Sequence, residues 1–337
     1  MQTSTGAPPT DFQDPPRPGP GHVVVLGTGG TIAGTAARAG DHTGYTAAQL
    51  GVRALLDGLG GLPQDRLEVE QVAQLDSKDM DLATWWTLAR AIARHLARPE
   101  VAGVVVTHGT DTLEETAYFL HRVLAPTRPV VLTAAMRPAT AASPDGPQNL
   151  LDAVAVARTE AARGVLAVLA GRVHAGHELR KLHGYRVDAF GSGDAGPLGV
   201  VENGRLRRFR DWPQGDAHPW ARAALDGPGT PALPPVDIVT SHAGARAATV
   251  EALVAAGARG LVIAGTGNGT VHQALLEPCA RAAAAGVVVW RTSRCPLGGV
   301  VPGDAAAAPD PQPDAGPLTP VQARVELMLR LAAQPPA

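Results

Sequence analysis

The large apolar residues of this chain come in two rhythms, and their alternation predicts the fold. Seven short runs are apolar almost without interruption: 22-HVVVLG-27, 103-GVVVTHG-109, 129-PVVLTAA-135, 165-VLAVLAG-171, 236-VDIVTS-241, 260-GLVIAGT-266 and 287-VVVWRTS-293. A strand with one wet face alternates apolar and polar side chains. Unbroken β-branched runs instead describe strands covered on both faces, as in a parallel sheet between layers of helices. Between the runs, 80-MDLATWWTLARAIARHLA-97 and 112-TLEETAYFLHRVLA-125 place apolar residues three and four apart, which gathers them on one helical face. Asp81 and Asp111 stand where helix N-caps belong. The βαβα order predicts an α/β protein built on an open, mostly parallel sheet with helices on both faces.

The rhythm fails twice. Residues 1–21 are rich in proline and poor in large apolar side chains, so a disordered tail outside the fold is expected. Around 206–235 prolines, glycines and charges crowd together without periodicity, which marks a linker. The expected organisation is therefore a larger N-terminal catalytic α/β domain over 22–205, the linker over 206–235, and a smaller C-terminal α/β domain over 236–334.

Composition narrows the function classes. A hydrophobic content of 45% with 18% charged residues is that of a globular protein, and a net charge of −2 gives no attraction to nucleic acid or an anionic membrane. No apolar run approaches the length of a membrane span, and the first twenty residues lack the basic and apolar segments of a secretory signal, so a cytoplasmic location is expected. The only cysteines are Cys279 and Cys295, too few for a disulfide framework.

Several runs end in loops of small and polar residues: 27-GTGGT-31, 107-THGTDT-112, 133-TAAMRPAT-140, 264-AGTGNGT-270 and 291-RTSRCP-296. In open α/β sheets ligands bind beyond the carboxyl ends of the strands, so these loops should share one crevice. The glycine-rich loop fits neither nucleotide template. A dinucleotide fingerprint begun at Gly27 and Gly29 needs its third glycine at Ile32. A phosphate loop begun at Gly29 and Gly34 needs lysine where Thr35 stands. His174, His177 and His183 offer an HxxH spacing with a third histidine, but the zinc-protease pattern is absent, and no metal or organic cofactor is expected. What survives is a pair of threonines at strand ends, Thr31 and Thr110, with Asp111 beside the second. A threonine hydroxyl attacks carbonyl carbon only when a base takes its proton, and a buried or cation-flanked lysine can be that base.

GTGGTIAG at 27–34 and THGTDTLEETAYFL at 107–120 resemble the two signature stretches of the bacterial L-asparaginases, a family that includes the glutaminase-asparaginases. The likeness continues through 134-AAMRPATAASPDGPQNL-150, 196-GPLGVVENG-204 and 265-GTGNGT-270 and covers essentially everything after the tail; it is nearer the tetrameric, high-affinity branch. The resemblance implies hydrolysis of the side-chain amide of L-asparagine to L-aspartate and ammonia, without a cofactor. It makes Thr31 the primary nucleophile and Tyr45 its partner on a mobile loop. Thr110, Asp111 and Lys181 form a Thr-Lys-Asp arrangement. Ser77 holds the substrate's α-carboxylate, and Asp111 also faces its α-amino group. It further implies a homo-oligomer, a dimer of intimate dimers, with a small-molecule substrate and no nucleic-acid or membrane partner. Acyl-enzyme formation on Thr31 and direct attack by water both fit these residues. A broader glutaminase-asparaginase and a catalytically silent asparagine- or aspartate-binding protein are the alternatives. Three positions depart from the family pattern. Lys78 stands where Gln or Glu is common, so it must point away or pair with Asp79. Thr270 replaces a frequent Asn, and an intersubunit glutamate has only Asp304 nearby.

Overall fold

The seven apolar runs divide four and three between two sheets. The computed structural model describes residues 21–334 apart from 39, 58, 61, 63–65, 216 and 302–312; almost all of the expected tail, and Asp304, lie outside the described residues. In the larger sheet the strands are β1 (His22–Gly29), β4 (Leu67–Leu75), β5 (Val101–Thr107), β6 (Pro129–Thr133), β7 (Gly164–Leu169), β8 (Arg172–Ala175), β11 (Gly199–Glu202) and β12 (Arg205–Arg208). Their spatial order is β12-β11-β8-β7-β6-β5-β1-β4. Strands β4, β1, β5, β6 and β7 run parallel, and β8, β11 and β12 extend the sheet antiparallel. Two ribbons complete the larger unit: β2 (Thr35–Ala36) with β3 (Tyr45–Thr46), and β9 (Arg180–Lys181) with β10 (Phe190–Gly191). The smaller unit is a parallel sheet of β13 (Val236–Thr240), β14 (Gly260–Gly265) and β15 (Val288–Ser293). The helices are α1 (Val52–Asp57), α2 (Leu82–Leu96), α3 (Leu113–Leu124), α4 (Gly146–Ala157), α5 (Pro219–Asp226), α6 (Ala248–Ala255), α7 (Gln273–Ala284) and α8 (Pro320–Ala332).

Alternate residues of the same strand feed two different cores, which is why the runs are apolar throughout. Val24, Leu26, Val104 and Val106 meet α2, α3 and α8, where Trp85 stacks on Phe119 at 5.0 Å and Trp86 meets the same ring edge-on at 5.2 Å. Val23, Val25 and Val105 meet Leu56 of α1 and Leu150 and Val154 of α4 on the opposite face. The edge strand β4 has only half-buried and exposed positions and therefore gives no apolar run in the sequence. Asp81 caps α2 as the sequence predicts, its Oδ1 accepting from the Thr84 N–H at 2.7 Å. Asp111 does not cap α3. That place falls to Thr112, whose side chain makes no capping bond, and the Asp111 carboxylate is engaged by Lys181 instead.

The stretch 206–235 contains most of β12 and all of α5. Helix α5 is held from outside: Arg90 of α2 donates to the carbonyls of Ala224, Leu225 and Gly227 near its C-terminal end. The two units meet where α8 packs on α3. Buried Glu326 accepts there from Tyr118 Oη at 3.2 Å, Arg122 Nε at 2.9 Å and Arg330 Nε at 2.9 Å. Burial pushes the Glu326 carboxyl up, but the Arg330 and Arg122 guanidiniums more than offset that and hold it below the usual carboxylate range. Cys279 is buried in α7, whereas Cys295 is exposed beyond β15.

Candidate active site

Strand β1 lies between β4 and β5, which both follow it in the chain but sit on opposite sides of it, so the winding of the sheet reverses there. A crevice opens beyond the carboxyl ends of strands at such a reversal. Three loops meet there, after β1, β4 and β5, and glycine makes the meeting possible. Gly30 has φ +81°, and a Cβ on it would come within 2.3 Å of Gly109 Cα. A Cβ on Gly109 would in turn lie 2.3 Å from Ser77 Oγ. Backbone therefore touches backbone, and Thr31 and Thr110, the residues that follow these glycines, are brought to one place. Thr28 Oγ1 donates to the Thr107 carbonyl at 3.0 Å and ties the first loop to the third.

The hydroxyls of Thr31 and Thr110 each have a polar partner. Thr31 opens a single 3-10 turn, and its Oγ1 lies 2.7 Å from Tyr45 Oη. Tyr45 reaches it because the β2–β3 ribbon pairs Ala36 with Tyr45, folding the loop back over the turn. Lys181 Nζ donates to Thr110 Oγ1 at 2.9 Å and to Asp111 Oδ1 at 2.6 Å. The lysine side chain is only 17% exposed, against 53% for the aspartate. Ser77 is buried; its Oγ accepts the Asp111 N–H at 3.2 Å, and its carbonyl accepts Thr112 Oγ1 at 2.8 Å.

Behind the third loop, buried His108 fixes the backbone. Trp85 Nε1 donates to Thr116 Oγ1 at 2.8 Å, which leaves the threonine proton for His108 Nε2 at 3.0 Å. His108 Nδ1 then donates to the Gly109 carbonyl at 2.7 Å. Burial holds this imidazole neutral, with its pKa lowered to about 4. Lys181 stands on the two-residue strand β9, which cannot support itself. Gln322 of α8 donates to the carbonyls of His177 at 3.2 Å and Leu179 at 3.1 Å, and Arg180 donates to those of Pro296 and Pro317. Glu114, in the first turn of α3, faces the same strand. Burial, helped by Glu115, raises its pKa to about 7, against the Lys181 backbone N–H and the charges of Arg180 and Lys181.

The family model described as "Asparaginase, N-terminal" matches residues 22–214, and that described as "Glutaminase/Asparaginase C-terminal domain" matches 235–336. The chain belongs to the asparaginase family. A glutaminase-asparaginase of Pseudomonas fluorescens biotype A is 37% identical over 320 residues, 92% of this chain and 86% of that protein. L-asparaginase 2 of Escherichia coli K12 is 37% identical over 325 residues, 92% and 88% of the two chains. The crystal structure of a "Probable Cytoplasmic L-asparaginase" from Campylobacter jejuni superposes with a TM-score of 0.84 at 35% identity, covering 93% of this chain and 96% of that one.

In this asparaginase-family chain the structure brings Thr31, Tyr45, Ser77, Thr110, Asp111 and Lys181 to one crevice. Lys78 stays outside it: its side chain is 61% exposed and its ammonium pairs with Asp79 at 2.6 Å and Asp76 at 3.2 Å. Thr270 bonds across its own turn to Thr266 at 2.8 Å. The three histidines of the HxxH stretch have separate engagements. His174 meets Ser192 Oγ at 2.7 Å, His177 stacks on His121 at 4.4 Å, and His183 accepts backbone N–H groups of Tyr185 and Arg186. Sequence reasoning missed Gln322 and Glu114. The spacing of Thr319 and Gln322 announces a capping box, which the structure contains, but not the tie from its amide to residues 177 and 179.

Proposed function

We propose that the chain is an L-asparaginase in which Thr31 attacks the side-chain amide carbon of L-asparagine. The observation that carries the reading is the lysine bridge. One ammonium donates to both Thr110 and Asp111, across a glycine–glycine contact from a second threonine already bonded to a tyrosine. Two activated hydroxyls facing one crevice suit acyl transfer, in which a nucleophile must lose a proton and a leaving group must gain one. As the Oγ1–carbon bond forms the Thr31 proton passes to Tyr45 Oη, whose own phenolic proton moves on through the Thr110–Lys181 pair to the leaving nitrogen. Collapse of the tetrahedral intermediate then breaks the carbon–nitrogen bond and releases NH3. Water then cleaves the aspartyl ester by the reverse use of the same groups. Ser77 and Asp111 hold the α-carboxylate and α-ammonium of the substrate.

Ammonia release from asparagine by the purified chain, against Thr31→Ala, tests the reading; no release from asparagine or glutamine by the wild type would sink it. Glutamine belongs in the assay because a relative of 37% identity is a glutaminase-asparaginase. A cytoplasmic homotetramer, as a dimer of intimate dimers, accompanies this reading. Exposed Leu182, Tyr185, Leu297 and Val301, on loops beside the lysine strand and β15, support an association surface, and light scattering in solution reads the oligomer.

A further inference from the structure

Thr110 and Asp111 stand just ahead of α3, whereas the lysine that bridges them stands on β9, two residues paired with the equally short β10. The chain leaves the larger sheet at Gly176, whose N–H donates to the Val165 carbonyl at 2.8 Å. Beyond the lysine, the Leu182 N–H donates to the Ala189 carbonyl at 2.7 Å. Between these points the carbonyls of His177 and Leu179 both accept from one group, the Gln322 amide, at 3.2 and 3.1 Å. Gln322 is 1% exposed, and its amide is fully committed: the two Nε2 protons go to the two carbonyls, and Oε1 accepts the Thr319 N–H at 3.2 Å. We infer that Gln322 is a positioning residue for Lys181, its amide seating the segment that carries the ammonium to Thr110 and Asp111.

The helix that carries Gln322 is itself fixed to the other half of the site. Glu326, four residues on and so on the same face of α8, is buried and accepts from Tyr118 and Arg122 of α3. Helix α3 begins just after Thr110 and Asp111. One face of α8 therefore grips the lysine segment through Gln322 and the helix behind the lysine's two partners through Glu326, which registers the halves against each other. Arg180 adds a second hold on the Pro317 carbonyl, but that bond is exposed and water competes for it, whereas the bond from Gln322 to Leu179 is buried. A buried carbonyl stripped of its donor costs its full desolvation, so without the amide the segment must move to rehydrate. A displacement of about 1 Å suffices to take the ammonium off a hydroxyl at 2.9 Å and a carboxylate at 2.6 Å.

The composition of the chain supplies a direct readout. It contains two lysines, Lys78 and Lys181, so the full chain labelled with 13C at the lysine ε-carbon gives two side-chain signals, assigned by Lys78→Arg. In the wild type the ε-methylene protons of Lys181, fixed between Thr110 and Asp111, are expected to show two distinct shifts, and those of exposed Lys78 one. Gln322→Glu keeps the oxygen that accepts from Thr319 but replaces the donor, so the helix cap survives while the carbonyls lose their partner. The two Lys181 shifts are then expected to merge. Gln322→Met removes the donor without placing a charge beside the carbonyls and is expected to do the same. Thr319→Val is the converse: it removes the hydroxyl that accepts the Gln322 N–H and leaves the amide, so the melting temperature falls while the two Lys181 shifts persist. Turnover, which alone rests on the asparaginase reading, follows the same pattern. In both Gln322 variants kcat for asparagine falls about ten- to hundredfold with KM within about threefold of wild type, and in Thr319→Val neither changes. A single Lys181 shift in the wild type, two shifts persisting in any folded Gln322 variant, or their merging in Thr319→Val overturns the inference. A wild type whose Lys181 signal behaves as expected but that releases no ammonia upholds the inference and refutes the asparaginase reading.

Discussion

At the scale of single residues, the candidate site separates groups proposed to react from groups that hold. Replacing Thr31 by Ala, or Lys181 by Met, should lower kcat for asparagine by at least about two orders of magnitude, since each removes a group from the path of the proton or the nucleophile. Unchanged far-UV circular dichroism must accompany the loss; a loss that merely follows unfolding would contradict the roles. Tyr45→Phe keeps the ring that packs near Gly34 and removes only the oxygen 2.7 Å from Thr31. Its expected effect is a kcat lower by roughly ten- to hundredfold with an unaltered melting temperature. The residues proposed to react stand out in the sequence because their neighbours are constrained in type: a threonine after two glycines, and a threonine and acid after histidine and glycine. Glu114 and Gln322 were not legible. A glutamate in the first turn of a helix and a glutamine in a capping box both have sufficient local reasons to be there. Their long-range partners, 67 and 143 or more positions away, leave no periodic trace.

At the scale of elements, loops that touch through backbone are the most constrained parts of the molecule. Gly109→Ala places a methyl 2.3 Å from Ser77 Oγ, so the third loop must shift. The expected cost is about 1–3 kcal/mol in urea unfolding, with a larger proportional loss of turnover because Thr110 moves with the loop. Asp81→Ala removes a cap far from the crevice and should cost about 1 kcal/mol by the same measurement while leaving KM unchanged. The contrast between the two acids read as caps explains one difference between expectation and structure. Asp81 accepts only from neutral donors at the start of its own helix, whereas Asp111 has an ammonium at 2.6 Å, a stronger charge-assisted partner. The buried parallel strands could be read directly from their unbroken runs. The edge strand β4 and the antiparallel β8, β11 and β12 could not, being short or half exposed, and 206–235 hid a helix whose hold on the body comes from Arg90 of another element.

For the whole molecule, the buried imidazoles set the response to acid. Burial lowers the pKa of His108 to about 4 and of His174 to about 4; burial, with His177 and Arg122 nearby, lowers that of His121 to about 3. An unfolded histidine titrates near 6.5, so between that pH and about 4 the unfolded chain binds protons that the folded chain does not. Stability is thus fully present above about pH 6.5 and falls as pH drops through this window, by up to about 1.4 kcal/mol per pH unit for each histidine. Glu326, held below the usual carboxylate range, adds a loss that begins lower, as pH falls below the unfolded glutamate value. Urea midpoints measured from pH 8 to pH 4 should decline steadily below pH 6.5, and a flat profile would show that these rings charge without unfolding.

The amide of Gln322 gives this architecture an order in time. It holds the two carbonyls just ahead of Lys181, and it lies on the helix that closes the smaller unit. A chain emerging from the ribosome folds its N-terminal domain first. At that stage Thr31, Thr110 and Asp111 are already made, but the strand bearing the lysine has no seat until residues 319–331 follow it out. The nascent protein would therefore carry its threonines and acid with the lysine still unplaced until helix α8 has been made and docks.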